Sequence, residues 1–403
     1  MPSSAFHEPD AGPTPSRPGR PAWRPRASAV AAAGAAVVLI AGAAVWASQA
    51  DFFAGQRPHD ASAGRPLSSW SSTPPTGASP SSSASPSASV SAPASAKPPA
   101  TAKQEVPRAG WIPIDQAAWD AQVAKYKATK AEPAGDAGNL PEFRADCKYS
   151  HRKADDPIVF PGLPGASHMH SFVGNKAVDA DTTADDLKKF RASTCKPVVD
   201  HSAYWVPTLY DAATKQPVET TGFRVYYRSI RNNSTGIMPI PNGLRMIAGD
   251  AKKKVPTPRG AQGQFYCGFY GPGDLDGVAR SSNGNWPICD PHSYATLHYM
   301  LQFPDCWDGK HLDSPDHKKH VAYGTDSGCP ADHPVRIPAL TFDITYGVKG
   351  TTQGYFLSSD PTGRTASSMH GDAFLMWDTD AMNKRTKDCL RQRRQCDDNG
   401  YER

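Results

Sequence analysis

The sequence predicts a mainly β domain: an antiparallel sandwich or jelly-roll-like fold with a few short helices and long loops, after an N-terminal transmembrane helix and a disordered linker. Three observations predict it. Segments of two-residue apolar alternation recur without a regular helix between them. All eight cysteines lie at or after Cys147. A Pro/Ser/Ala-rich stretch separates these features from a basic, apolar N-terminus.

Taken in order, residues 1–26 are a basic segment in which Arg17, Arg20, Arg24 and Arg26 precede an uncharged run, Ala27–Ala50. That run matches the ~20 apolar residues that cross a bilayer. Arginines before it and Asp51 after it place the N-terminus inside and the remainder outside. An uncleaved single-pass anchor is one reading, since the run exceeds the core of a secretory signal; cleavage near Ala47 or Ala50, with secretion, is the other. Residues 51–107 form the linker. Within it, Pro74–Ala102 is almost entirely Ser, Ala, Pro, Thr and Gly, too poor in apolar surface to offset chain entropy and extended by its prolines.

From residue 108 to 403 the composition becomes globular. Asp115 is positioned to cap a helix that sets Trp119, Val123 and Tyr126 on one face. Thr182 or Thr183 can cap a second through Leu187 and Phe190, and Asp380–Arg393 is expected as a terminal helix. Strands are expected where apolar and polar residues alternate, as in Leu340–Tyr346 and Leu297–Phe303. Further strands are expected at Tyr204–Tyr210, Phe223–Ile230, Leu244–Ala248, Gly354–Ser358 and Phe374–Trp377.

An even cysteine count in an exported segment reads as disulfides, with neighbour pairing the simplest scheme: Cys147–Cys195, Cys267–Cys289, Cys306–Cys329 and Cys389–Cys396. The absence of C-x-x-C argues against a zinc ribbon or a thioredoxin-like site. The net charge of +5 is modest and sits largely in the N-terminal arginines and in Lys384–Arg394, which excludes the charge footprint of a nucleic-acid binder.

Three histidine-bearing segments carry the candidate chemistry. His168 and His170, two apart in an extended chain, project to one face and can hold a divalent metal. A helical turn starting near Pro315 would set His317 and His320 on one side, beside Asp316. His370 and Asp372 form another pair two apart. Asp156, Asp316 and Asp372 are candidates to orient the imidazoles of His168, His170, His317 and His370 for acid–base catalysis. Against this stands the reading that Asp156, Asp313 and Asp360, each ahead of a proline, only form turns. Glutamates are scarce after residue 108, so an acid–base pair here would be built from Asp and His. No G-x-S-x-G, P-loop or G-x-G-x-x-G motif is present.

Several of these segments, in this order, resemble an uncharacterised and typically secreted family of fungi and actinobacteria, known as domain of unknown function nineteen-ninety-six. The stretches are Asp156-Pro157-Ile158-Val159, Pro161-Gly162 with Ser167-His168-Met169-His170, and Tyr204-Trp205-Val206-Pro207-Thr208-Leu209-Tyr210. They continue with Gly243–Asp250, Cys306–Gly309 through Asp313–His317 and His320, and Ser359–Gly363. The resemblance implies an extracellular setting and no particular activity.

The expected function is an extracytoplasmic enzyme, a hydrolase or lyase acting on cell-wall or other extracellular polysaccharide. Tyr204, Trp205, Tyr210 and Trp307 would stack on sugar rings, and Arg245 would bind polar groups. A noncatalytic wall-binding module using the same aromatics is one alternative. A wall metallopeptidase built on His151, Asp155 and the His168/His170 pair is another, in which those elements sit too close together in sequence. The expected partners are wall polysaccharide and, through the N-terminal helix, the membrane, with no nucleic acid.

Overall fold

Alternation along Leu340–Tyr346 puts Leu340, Phe342 and Ile344 on one side of a strand, where all three are buried. Their partners across the sheet repeat the pattern, and the result is one face of a sandwich. The computed structural model describes residues 110–136, 140–230, 235–255, 263–268, 286–292, 294–363 and 365–401. The arginine-flanked run 27–50, the linker 51–107 and Asn232–Ser234 lie outside them. Among the described residues no helix is long and apolar enough to cross a membrane.

Ten strands build the two main sheets. They are β1 (Glu142–Cys147), β2 (Tyr149–Lys153), β3 (His170–Gly174), β4 (Ala203–Pro207) and β5 (Thr220–Arg228). The rest are β6 (Arg245–Gly249), β7 (Gly263–Gly268), β8 (Thr296–Gln302), β9 (Ala339–Tyr346) and β10 (His370–Phe374). The first sheet runs β7-β8-β9-β5-β1 and the second β2-β3-β4-β10-β6. Every pairing in both is antiparallel. This is the expected mainly β, antiparallel architecture with few and short helices.

The inner faces meet. Phe342, Val225 and Leu301 of the first sheet share one core with Val173, Tyr204, Met246 and Ala373 of the second. The Tyr204 and Phe342 rings pack edge to face at 5.6 Å. Each such large side chain contributes roughly 1.5–3 kcal/mol through removal from water. Gly371 permits the close approach, because a Cβ there would stand 2.8 Å from Leu301 Cδ2 and 2.9 Å from the Phe342 ring.

The second sheet is also covered on its outer face, which is why its strands lose the alternating pattern: all five residues of β3, of β4 and of β10 are buried. Phe172, Trp205 and Phe374 point outward there and pack with Ile158, Val178 and Leu187 from the connecting segments.

The helices follow their caps. Helix α1 (Gln116–Ala128) starts at Asp115, whose carboxylate accepts from the Ala118 amide at 3.0 Å. It buries Trp119 and Tyr126, the latter donating to the Ile237 carbonyl at 2.8 Å. Helix α2 (Ala184–Lys189) opens with a Thr183–Asp186 capping box and buries Leu187, but Phe190 falls at its end and is exposed. Helix α3 (Thr379–Arg385) is capped by Asp378 and passes into a π-helical turn, Thr386–Arg391, so the terminal helix is not one continuous α-helix.

All four disulfides join sequence neighbours as expected, and no described cysteine is free. Tyr204–Tyr210 breaks into two strands at Thr208. The last expected strand lies four residues earlier than Phe374–Trp377, starting at His370.

Candidate metal and acid–base centre

Residues 168–170 lead into β3, and residues 370–372 open β10. These two strands flank β4 in the second sheet. His170 is paired with Pro207, and Asp372 with Trp205. Two residues along that register, His370 comes level with Pro207 from the other side. Ring centroids are 5.7 Å apart for His170 and His370, 4.2 Å for His168 and His170, and 5.0 Å for His168 and His370. One potential ligand atom from each lies within 4.8 Å of the other two.

Backbone acceptors fix the orientation of two rings. His170 Nδ1 donates to the Asp155 carbonyl at 3.0 Å, and His370 Nδ1 to the Ser368 carbonyl at 2.9 Å. Those bonds leave Nε2 as the lone-pair nitrogen of each. Nε2 of His168 and of His170 is buried without a hydrogen-bond partner. His370 Nε2 faces Asp372, 3.7 Å from Oδ2, and both Asp372 oxygens are buried without a hydrogen bond.

The supports come from the other signature segments. Thr208 N–H donates to the Met169 carbonyl at 2.9 Å, and the Ser358 hydroxyl bonds the same oxygen, clamping the residue between His168 and His170. Ser359 and Ser368 hydroxyls meet at 2.8 Å behind His370. Asp155 Oδ1 accepts from the Gly165 amide at 2.9 Å, which ties the turn-rich loop to the strand that follows it. Gly249, opposite His370, has φ +87° and passes so close that a Cβ would stand 2.8 Å from His370 Cα.

Burial keeps all three imidazoles neutral. Desolvation, helped by the neighbouring His370 ring, pushes His168 down to about 3. His170 lies well below the usual histidine range for the same reasons, with His168 adding to them. His370 is lowered to about 4, again by burial. Burial acts the opposite way on the carboxyls. Asp372, in a row with Trp205 and Ile247, is raised well above the carboxylate range, and the nearby Asp156 charge adds to this. Asp156 is raised to about 6, by desolvation against the stabilising amides of Val159 and Ile158.

Segment 313–320 reaches the same face. The Lys318 ammonium donates to the Gly249 carbonyl at 2.6 Å, beside His370. No helical turn forms; His317 itself takes a left-handed φ of +56°. Its Nδ1 donates to both oxygens of Asp313, at 3.0 and 3.1 Å, and Asp156 senses the charge of both residues. Arg245 completes the group, 3.5 Å from Asp313 and stacked over Phe374.

Several expectations are corrected. Asp316 does not join the centre: it accepts from Ser314, Lys318 and Lys319 and shapes its own turn. Asp313, read from sequence as a turn former, is the partner of His317; the D-x-x-x-H spacing was the available signal. His320 does not share the Asp313 partner of His317: its Nδ1 meets the Ser314 hydroxyl at 3.0 Å and its Nε2 the Arg245 carbonyl at 2.6 Å. Tyr204, Trp205 and Trp307 cannot stack on a sugar ring, because each is fully buried in the sandwich or its outer cover. Tyr210 lies in a separate small sheet, stacked on Phe356 at 5.1 Å. His151 is also elsewhere, bonded to the Val178 carbonyl and stacked on Phe172, so it supplies nothing to a peptidase-like set.

The family described as Domain of unknown function (DUF1996) matches residues 156–377, just over half of the chain. That span holds His168, His170, His317, His370, Asp156, Asp313 and Asp372. No curated protein and no solved structure matches the chain.

Proposed function

This chain belongs to the family described as Domain of unknown function (DUF1996), and we propose that the outer face of its second sheet is the active site of an extracytoplasmic enzyme that cleaves cell-wall or other extracellular polysaccharide. One observation carries the reading. Segments some 160 residues apart bring a carboxyl raised to about 6, Asp156, within electrostatic reach of a histidine held by a carboxylate, His317–Asp313. A group poised near neutrality and an oriented imidazole are what acid–base cleavage of a glycosidic bond requires. Asp156 acts as the acid, and His317 as the base whose ring Asp313 orients. Arg245 offers a cation to hydroxyls or carboxylates of the substrate.

An oxidising, extracytoplasmic compartment is supported by the four disulfides and by the exposed-side topology that the basic N-terminus implies. Sugar stacking on Tyr204, Trp205 and Trp307, common to the enzyme and the binding-module readings, falls away for both, since all three are buried.

The test is incubation of the purified protein with a panel of wall polysaccharides, scored by product release and by retention on the insoluble substrate. Product release is expected from the wild type, with a fall of about 10²–10⁴-fold in His317→Ala and Asp156→Asn. Retention with no product would assign the module instead.

A further inference from the structure

We propose that His168, His170 and His370 bind one divalent first-row transition ion of the zinc class, with Asp372 next to it as an additional oxygen donor. The proposal goes beyond polysaccharide cleavage and does not depend on it.

The argument begins with hydrogen bonds that are missing. A buried polar atom without a partner costs about 1–3 kcal/mol, so native proteins keep such atoms rare. Here His168 Nε2, His170 Nε2 and both oxygens of Asp372 are unpartnered and buried at one place. No hydrogen bond joins any of these atoms to another. Each can offer a lone pair to a cation, the imidazoles at Nε2 and Asp372 once its proton is released as the ion binds. A single cation satisfies all of them at once.

The geometry agrees. Three nitrogens each about 2.1 Å from one ion in tetrahedral directions stand about 3.4 Å apart. The three ligand atoms already lie within 4.8 Å of one another, so shifts of no more than about 1 Å at each nitrogen close the set. The Nδ1–H bonds of His170 and His370 to the Asp155 and Ser368 carbonyls are the outer supports that metal-bound histidines usually have, and they fix the tautomer with Nε2 free. Ser359 extends this support to a second layer behind Ser368.

Ligand chemistry selects the ion. Three imidazoles suit zinc, copper, nickel or ferrous iron, whereas calcium and magnesium require mainly oxygen donors. One competing explanation fits less well. A purely structural histidine cluster would place its unpaired nitrogens against donors, and none is present here among the described residues.

The experiment uses the full-length protein, stripped with a chelator and then titrated with Zn²⁺ and, separately, Co²⁺, without any polysaccharide. Expected are one Zn²⁺ per chain by elemental analysis after dialysis and a visible Co²⁺ absorption typical of four- or five-coordinate nitrogen ligation. His370→Ala and His168→Ala should each weaken Zn²⁺ binding at least about 100-fold, while His333→Ala, which is not part of the cluster, should not. Wild-type protein with intact disulfides that holds under a tenth of an equivalent of Zn²⁺ and gives no Co²⁺ band would overturn the proposal. So would Zn²⁺ binding unchanged in both variants, which would place the ion elsewhere. His370→Asn serves if His370→Ala fails to fold, and the wild-type Co²⁺ spectrum stands regardless of either variant. Metal binding without product release would leave this centre in place and sink the cleavage reading; the reverse result would do the opposite.

Discussion

Gly249→Ala is the substitution whose consequence the structure defines most sharply. Gly249 sits at the end of β6 with φ +87°, directly opposite His370 in the register with β10. Two costs separate cleanly. Holding an L-residue in the left-handed region costs about 1–2 kcal/mol. The added Cβ would also meet the Met369 carbonyl oxygen at 2.6 Å and His370 Cα at 2.8 Å. Those are backbone atoms that no side-chain rotation can clear, and overpacking of this kind adds about 1–3 kcal/mol. Gly236 supplies the control, with φ +81° and no atom within 4 Å of a Cβ built there. Gly236→Ala should therefore cost only the backbone part. The assay is urea unfolding of both variants with disulfides intact, followed by Zn²⁺ titration. Gly249→Ala should be less stable than Gly236→Ala by at least about 1 kcal/mol, and it alone should weaken Zn²⁺ binding because its strain falls on His370. Equal stability of the two variants, with unchanged ion affinity, would refute the claim that this backbone contact positions the site.

Two further outcomes follow from the covalent frame and the buried charges. Removing Cys147–Cys195, which closes 48 residues, should cost about 4 kcal/mol, and removing Cys389–Cys396, which closes seven, about 2 kcal/mol on a chain-entropy basis; paired Cys→Ala variants showing the opposite order would count against that account. Asp200 is fully buried, bonded to Tyr204 and the Ser202 amide, and burial raises it to about 6. Its folded form holds the proton that the unfolded chain releases near pH 4, so its contribution is fully present below about pH 4 and declines, by roughly 3 kcal/mol, as pH rises to about 6. Stability curves of wild type and Asp200→Asn should diverge across that window; parallel curves would show that Asp200 does not carry this dependence.

Local rules account for what the sequence determined. Asp115 and Thr183 cap their helices because a side-chain oxygen next to free amides is a short-range signal. Leu297–Phe303 and Leu340–Tyr346 read as strands because their outer face is more polar than their inner one. Neighbouring cysteines pair because short loops close most readily. The histidine segments were legible as chemistry, yet not as a place. β3 and β10 are buried on both faces, so the sequence around His170 and His370 carries no alternation and neither is marked as a strand by its pattern. Only the strand order β2-β3-β4-β10-β6 sets those two strands on either side of Pro207, across 200 residues of chain. The same order explains the misread aromatics: Tyr204 and Trp205 lie on the central strand β4, where one faces the opposite sheet and the other the outer cover. A sequence records which residues can bond, pack or ionise. Which of them share a site depends on long-range pairing between strands, and that pairing is decided by burial of the whole sandwich.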